Sequence, residues 1–245
     1  MSNPKEIPFQ SLQFYATAPY PCSYLPERSA RSQVATPPQL INAALYDQLI
    51  NMGFRRSGLF TYRPYCDNCQ ACIATRIPVN SFKATRSQQR AWRKYQSMDI
   101  RILPLDYSNE HFELYQHYQH SRHAEPQTNN ESVENNKDQY KQFLLQTNIE
   151  SILVEFREEG ILRMVSIIDV LNDGLSSVYT FYDTRITSSS FGTFSILWQI
   201  EQAKILKLDY IYLGYFFEKC EKMSYKSLYR PLQGLVNGQW STIFE

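Results

Sequence analysis

The chain contains the stretch RRSGLFTYRPYCDNCQACIATRIPV at residues 55–79, around which the rest of the sequence is organised. Three cysteines recur at intervals of three residues, between short β-prone runs at 54–63 and 73–79. A C-x-x-C turn brings two sulfurs to one side of the backbone, which suits a thiophilic metal or a redox pair. A fourth cysteine lies in a polar turn near the N-terminus. We therefore predict a four-thiolate zinc or iron–sulfur site formed by Cys22, Cys66, Cys69 and Cys72.

The same stretch surrounds its cysteines with arginines, and we expect their positive charge to lower the thiol pKa values. The alternative is a set of packed or free thiols without a metal. That alternative is favoured for the isolated Cys220, which has no second cysteine near it in the sequence.

Length and composition limit the class of protein. A chain of 245 residues can bury a substantial core as one large domain or two small ones. It contains no apolar run long enough to cross a bilayer, and its first residues lack the apolar core of a signal peptide. Five cysteines, three of them in one turn, argue against a secreted disulfide framework. We therefore expect a protein of the reducing cytoplasm.

The net charge of +1 conceals an asymmetry between the two parts of the chain. Residues 1–102 carry 13 basic and 5 acidic side chains, a net charge of +8. The remainder carries 12 basic and 19 acidic side chains, a net charge of −7. A basic N-terminal part suggests a polyanionic partner, although a bipolar surface without a ligand is also common.

Two segments concentrate these cations in patterns that suit nucleic acid. Residues 84–96 are predicted to form a basic helix with a cationic stripe that can follow a phosphate backbone, and a solvated helix face is the alternative. Its stripe consists of Arg86, Arg90, Arg93 and Lys94. A second group suits a phosphate and an unpaired base: Lys222, Tyr225, Lys226 and Arg230.

The order of predicted elements indicates an α+β fold. The predicted helices lie at 37–51, 84–96, 109–121, 138–147 and 191–207, and further strands lie at 99–105, 149–157, 161–170, 175–183 and 210–213. Residues 125–138 are polar and predicted to be a mobile loop. Antiparallel strands followed by a helix and a strand fit the acyl-CoA N-acyltransferase fold. We predict a cysteine-containing basic region at 1–104 packed on an N-acyltransferase-like antiparallel sheet with helices at 105–245.

Several motifs, in order and across nearly the whole chain, resemble those of the bacterial aspartate/glutamate leucyltransferases, relatives of the arginyl-tRNA–protein transferases. These motifs are LQFY at 12–15, PCSYLP at 21–26, the cysteine stretch, SRH at 121–123, DGLSSVYTFYD at 173–183, YLGY at 212–215, KMSYK at 222–226 and YRPL at 229–232. The sequence departs from the family pattern at Thr184, where proline is expected, and at Phe191, where leucine is expected. Residues 124–136 are also more polar than the pattern, which puts any role of that loop in doubt.

The resemblance implies a soluble enzyme that transfers an amino acid from aminoacyl-tRNA to the α-amine of proteins beginning with Asp or Glu. The added residue marks the protein for degradation by the N-end rule pathway. The implied donor is leucyl-tRNA in this branch and arginyl-tRNA in the eukaryotic relatives. Two other interpretations are a CoA-dependent N-acyltransferase, for which residues 188–193 form a poor phosphate loop, and a non-catalytic zinc-ribbon RNA-binding module.

Aminolysis of an activated ester requires neither a covalent enzyme nucleophile nor a cofactor, and the sequence has no G-x-S-x-G, H-E-x-x-H or P-loop motif. The acidic acceptor side chain needs a cation, for which the candidates are Arg55, Arg56, Arg63 and Arg76. The ester oxygen needs hydrogen-bond donors, for which Tyr179, Tyr182 and the amides of 179–183 are candidates. The amine proton needs an acceptor, and the candidates are Asp183 and His123. Core packing for the tyrosines and a turn cap for the aspartate are the structural alternatives.

Overall fold

The computed structural model describes residues 9–122, 133–187 and 189–245. The strands are β1 (Gln13–Ala16), β2 (Tyr20–Pro21), β3 (Ser29–Ala30), β4 (Ser32–Thr36), β5 (Arg55–Ser57), β6 (Phe60–Pro64), β7 (Ile73–Pro78), β8 (Asp99–Leu103), β9 (Ser151–Glu158), β10 (Ile161–Val170), β11 (Gly174–Tyr182), β12 (Tyr210–Phe216), β13 (Leu232–Val236) and β14 (Gln239–Phe244). The α-helices are α1 (Ala43–Asn51), α2 (Arg86–Tyr95), α3 (Asn109–Arg122), α4 (Val133–Tyr140), α5 (Phe191–Leu206) and α6 (Glu221–Ser224). Shorter turns are 3-10 at Phe9–Ser11, Pro38–Leu40, Val79–Ser81 and Tyr225–Leu228, and π-helical at Lys141–Leu145.

An eight-stranded sheet lies at the centre, with the order β14-β13-β7-β12-β11-β10-β9-β8. Among its described strands, β11 and β12 alone run parallel, and they pair over only three positions, from Gly174–Tyr210 to Ser176–Tyr212. Beyond that point the two strands separate. The sheet therefore opens between the carboxyl ends of β11 and β12.

Helices cover both faces of this sheet, which explains the long apolar runs in its strands. Successive residues of β10 point to opposite faces, so Met164 belongs to the core under α5 and Val165 to the core under α3. Phe194 of α5 packs on the first face, and Phe112 of α3 packs on the second. Helix α5 is apolar nearly all round because it lies between the sheet and α2.

A second, four-stranded antiparallel sheet has the order β1-β4-β6-β5. Apolar residues of α1, among them Leu45 and Leu49, form a third core with Phe54. The segment predicted as a single strand at 54–63 is a hairpin. Its β5 and β6 are joined at Gly58, which has a φ of +59° and no room for a Cβ beside the Gln142 carbonyl.

The α+β class and the N-acyltransferase-like order of elements are confirmed. Two further local expectations are wrong. Helix α1 begins after Asn42, whose side chain accepts the amide of Leu45, and not at Pro37. Residues 133–138 of the predicted mobile loop lie in α4, and the rest of that loop falls outside the described residues. The eight-stranded sheet includes β7 and β8, which precede residue 104, and the division of the chain at that residue stays a prediction.

Candidate active site

The opening between β11 and β12 is a cavity of about 730 Å³. Residues 177–182 of β11 and 213–215 of β12 form its two diverging walls, and the first turn of α5 closes one end. The segment that follows β12 contributes Lys222, Met223 and Lys226, while α3 contributes Arg122. A cleft of this size with several convergent polar groups is where substrate chemistry is expected in an α+β enzyme.

Arg55 occupies the fork of the cavity. Its guanidinium donates to the carbonyl of Ser177 at 2.5 Å and to that of Tyr212 at 3.3 Å, carbonyls that lie where β11 and β12 part. No carboxylate lies within ion-pair distance of this guanidinium in the described part of the chain. A guanidinium has five N–H donors, so Arg55 keeps both its charge and spare donors for a ligand.

Gly214 leaves space for the guanidinium of Arg55 because it has no side chain. Its φ of +80° coincides with a register shift in the pairing of β12 with β7, and a Cβ there would come within 3.2 Å of Arg55 Cζ. The hydroxyl of Thr75 donates to the Gly214 carbonyl at 2.8 Å and anchors this bend. The YLGY motif thus shapes the wall against which Arg55 lies.

The other three candidate arginines have partners outside the cavity. Arg56 forms a buried ion pair with Asp169, with Nη2–Oδ1 at 2.7 Å and Nε–Oδ1 at 2.9 Å. Arg63 donates to Gln33 and to a backbone carbonyl, and lies over the ring of Phe54. Arg76 donates to Gln233 and lies between two aromatic rings, 3.5 Å from the centroid of Tyr210 and 4.3 Å from that of Trp240. The structure therefore singles out Arg55.

Both candidate tyrosines line the cavity. The hydroxyl of Tyr179 accepts from Gln119 at 3.1 Å, and that of Tyr182 accepts from Arg122 at 2.9 Å. Burial raises the pKa of Tyr179, so its phenol stays protonated near neutral pH. Each hydroxyl can therefore donate its own proton to an oxygen in the cavity.

Asp183 does not fit the role of proton acceptor. It is buried and bonded to two arginines, with Arg185 Nε at 2.8 Å from Oδ1 and Arg163 Nη1 at 3.1 Å from Oδ2. Hydrogen bonds from Arg185 are the main cause that lowers its pKa, which makes the carboxylate a weak base. The other candidate, His123, lies outside the described residues.

Lys226 was expected on a nucleic-acid-binding surface, and the structure contradicts that expectation. The chain passes from α6 into a 3-10 turn, so Lys222 remains exposed while Lys226 turns inward and is only 6% exposed. Tyr225 is on the cavity lining and Arg230 is on the surface, donating to the carbonyls of Ser227 and Glu245. A spacing of four residues places Lys222 and Lys226 on one face only in a continuous α-helix, and the chain changes to a 3-10 turn between them.

The predicted basic helix is present as α2, with Thr85 as its N-cap in a capping box with Gln88. Its buried side is formed by Gln88, Ala91 and Tyr95, and the last of these contacts Phe191 at the start of α5. The four cations of the predicted stripe are all exposed: Arg86, Arg90, Arg93 and Lys94. They lie outside the cavity lining, on a helix whose C-terminal end packs beside it.

The cysteines form a loose group beside the cavity. Cys66 and Cys69 pair across a tight turn, as the C-x-x-C spacing predicted. Burial raises the pKa of Cys72 to about 11, and the negative charge of neighbouring thiolates also raises it, those of Cys22, Cys66, Cys69 and Cys220. The expectation that arginines lower the pKa of this thiol is therefore wrong. Cys220, expected to be isolated, therefore lies near the others.

The sequence predicted that this group of cysteines binds a metal. Within residues 9–122, 133–187 and 189–245, no three His, Cys, Asp or Glu side chains converge closely enough to hold a metal ion. All five cysteines are free thiols of intermediate exposure. The zinc or iron–sulfur site stays a prediction, and no step of the chemistry below depends on it.

An antiparallel sheet that opens beside one parallel strand pair, with α5 between β11 and β12 in the chain, is the N-acyltransferase-like α+β arrangement expected from the sequence. Within that class, the chain belongs to the arginine-tRNA-protein transferase family. The N-terminal profile of that family matches residues 20–90, and its C-terminal profile matches residues 110–236.

Curated relatives agree with this assignment along the whole chain. An aspartate/glutamate leucyltransferase of Polynucleobacter asymbioticus is 55% identical over 99% of both chains. The proteins of the same name from Chromobacterium violaceum and Pseudomonas fluorescens are 52% and 42% identical, over 96% and 94% of this chain and 96% of each relative. The solved structure of L-PGS from Bacillus licheniformis aligns with 70% of this chain and 49% of its own, with a TM-score of 0.42 and 11% sequence identity.

None of the described helices is long and apolar enough to span a membrane.

Proposed function

We propose that this protein transfers leucine from leucyl-tRNA to the N-terminal α-amine of proteins that begin with Asp or Glu. The transfer marks its acceptor for degradation by the N-end rule pathway, and we place the protein in the cytoplasm, where charged tRNA is made. The proposal rests on one structural observation above the others. The cavity holds the Arg55 guanidinium in its fork without a carboxylate partner among the described residues.

Arg55 matches an acidic acceptor residue. Its charge is partly removed from water, and its two protein partners are carbonyls that leave that charge uncompensated. The side-chain carboxylate of an acceptor Asp or Glu can form charge-assisted hydrogen bonds with it, which an amide or a cation cannot do equally well. The neighbouring α-amine is then held inside the cavity.

The part of the cavity lined by Tyr179, Tyr182 and the start of α5 suits the aminoacyl ester. The hydroxyls of Tyr179 and Tyr182 are placed to donate to the ester oxygen as it gains negative charge. At the start of α5, Ser190 makes no side-chain cap, so amides of the first turn remain available at the cavity edge. Holding the amine and the ester together can supply on the order of 7–11 kcal/mol of the reduction in the barrier.

The exposed cations of α2 suit the phosphates of the tRNA. The helix packs on α5, whose first turn closes the cavity, so a nucleic acid on α2 can reach the site with its end. Phosphate contacts of this kind set affinity and position and not sequence preference.

The test is a transfer assay with purified protein, leucyl-tRNA or arginyl-tRNA as donor, and matched peptides that begin with Asp, Glu, Asn or Lys. The wild type is compared with Arg55→Met, and Arg63→Met serves as a control because its guanidinium bonds outside the cavity. We expect leucine transfer to Asp and Glu peptides only. Loss of two charge-assisted bonds, roughly 3 kcal/mol, should lower kcat/KM of Arg55→Met for the Asp peptide about 100-fold.

Other outcomes separate the alternatives. Arginine transfer to the same peptides would keep the acceptor site and change the donor. Binding of tRNA without transfer would favour a non-catalytic RNA-binding protein. An Arg55→Met variant that still distinguishes Asp from Asn peptides as the wild type does would refute the role of Arg55.

A further inference from the structure

Lys226 is a buried amine with an unusual set of partners. Its Nζ donates to the backbone carbonyl of Tyr215 in β12, and its side chain lines the cavity. No carboxylate lies within ion-pair distance of it in the part of the chain that the structure describes, whereas the more accessible Lys141 and Lys204 each have an acidic partner. Buried lysines are rare unless paired, so this position calls for another reason.

The surroundings of Lys226 favour its neutral form. Burial and then the positive charge of Arg55 in β5 lower its pKa to about 7, while the thiols of Cys220 and Cys72 act in the opposite direction. Tyr215 in β12 faces it through a carbonyl oxygen, which only accepts. Near neutral pH a substantial fraction of Lys226 is therefore an uncharged amine with a free lone pair.

We propose that Lys226 is the proton acceptor for the α-ammonium of the acceptor, and that the acidic acceptor residue itself switches it on. This inference rests on the proposed function. When the carboxylate of an acceptor Asp or Glu binds Arg55, it compensates the positive charge that opposes a second cation nearby. Lys226 becomes a stronger base at the moment when an acceptor with the correct side chain enters.

Proton transfer to Lys226 precedes the acyl transfer. The neutral amine of Lys226 takes one proton from the acceptor ammonium, leaving a neutral α-amine and a Lys226 ammonium. The lone pair of the α-amine forms the new C–N bond at the ester carbonyl carbon, and the bond from that carbon to the ribose oxygen breaks. The second amine proton passes to the ribose oxygen, and Lys226 returns its proton to solvent. The products are a peptide bond and a tRNA with a free ribose hydroxyl.

This arrangement couples recognition to activation. An acceptor that begins with Asn has no negative charge to place on Arg55, so it leaves Lys226 a weaker base as well as binding less tightly. Discrimination between Asp and Asn should then appear in kcat as well as in KM.

The test uses Lys226→Arg, which keeps a long cationic donor for the Tyr215 carbonyl but does not release its proton near neutral pH. We expect kcat at saturating Asp peptide and leucyl-tRNA to fall at least about 100-fold, with KM for the peptide within about threefold. Lys226→Met, which keeps the volume but has no base, should lose as much. Lys141→Arg is the control, because this half-buried lysine lies outside the cavity lining.

A second measurement separates proton transfer from a structural role. In Lys226→Ala, small primary amines of similar size should restore transfer in proportion to the concentration of their free-base form. A Lys226→Arg variant with the kcat of the wild type would overturn the proposal. So would a folded Lys226→Ala variant that no amine restores. Failure of the proposed function is recognised separately, because the wild type would then transfer no leucine to the Asp peptide.

Discussion

Arg55 and Arg56 are adjacent in β5, yet we expect replacement of each to have a different effect. Successive side chains of a strand point to opposite sides. Arg55 lies in the fork of the cavity, whereas Arg56 contributes to the lining but is bonded to Asp169, both side chains of that ion pair being at most 1% exposed. The variant Arg56→Met should therefore destabilise the fold, and Arg55→Met should mainly impair transfer.

The loss in free energy of unfolding arises because Arg56→Met leaves the Asp169 carboxylate buried without its cation. Among the described residues, Asp169 would keep only the hydroxyl of Ser151, at 2.7 Å, as a side-chain donor for a fully buried carboxylate. Breaking a buried ion pair on one side costs about 3–5 kcal/mol, a large part of the roughly 5–15 kcal/mol by which a native protein is stable. The double variant Arg56→Met/Asp169→Leu removes both charges and should recover at least about 2 kcal/mol of this loss.

The assay is equilibrium unfolding in urea, followed by circular dichroism and by tryptophan fluorescence. With a slope of about 3 kcal/mol per molar urea, Arg56→Met should lower the midpoint by about 1–1.7 M. Arg55→Met should change the free energy of unfolding by about 1 kcal/mol or less, because water in the cavity can replace its bonds to carbonyls. If Arg56→Met unfolds within 1 kcal/mol of the wild type, the ion pair does not stabilise the fold as argued.

Three further predictions concern pH, metal and salt. The hydrogen bonds that Arg157 donates are the main cause that lowers the pKa of Glu155 from 4.5 to about 2. The stability this gives is present above pH 5 and is lost as pH falls towards 2, so acid unfolding of Glu155→Gln should be less steep than that of the wild type. Cys69→Ser should lose bound zinc or iron measured on protein purified without chelators, and an unchanged metal content would contradict the four-thiolate site. Arg90→Ala should weaken tRNA binding and reduce the slope of log K against log salt by about 1, whereas an unchanged slope would remove α2 from the tRNA surface.

Much of the molecule follows from local sequence pattern. The spacing of basic residues predicts α2, that of apolar residues predicts α3 and α5, and the alternation and turn residues of 149–183 predict the three strands β9, β10 and β11. These elements are set by neighbours in the chain, through capping, turn chemistry and amphipathic spacing. The same local rules failed at the start of α1 and at the β5–β6 hairpin, where a side-chain cap and a glycine with positive φ decide the boundary.

By itself, the sequence determined the α+β class, the family resemblance and the kinds of side chain available to the site, because these depend on residue identity and local spacing. The tertiary structure alone decided which of the four arginines lies in the fork of the cavity, and that Lys226 is buried. Arg56, Arg63 and Arg76 bond to groups that lie between 11 and 157 residues away in the chain, and Arg55 bonds to carbonyls 122 and 157 residues away. Those partners are brought together only by the packing of the two sheets, which no local pattern contains.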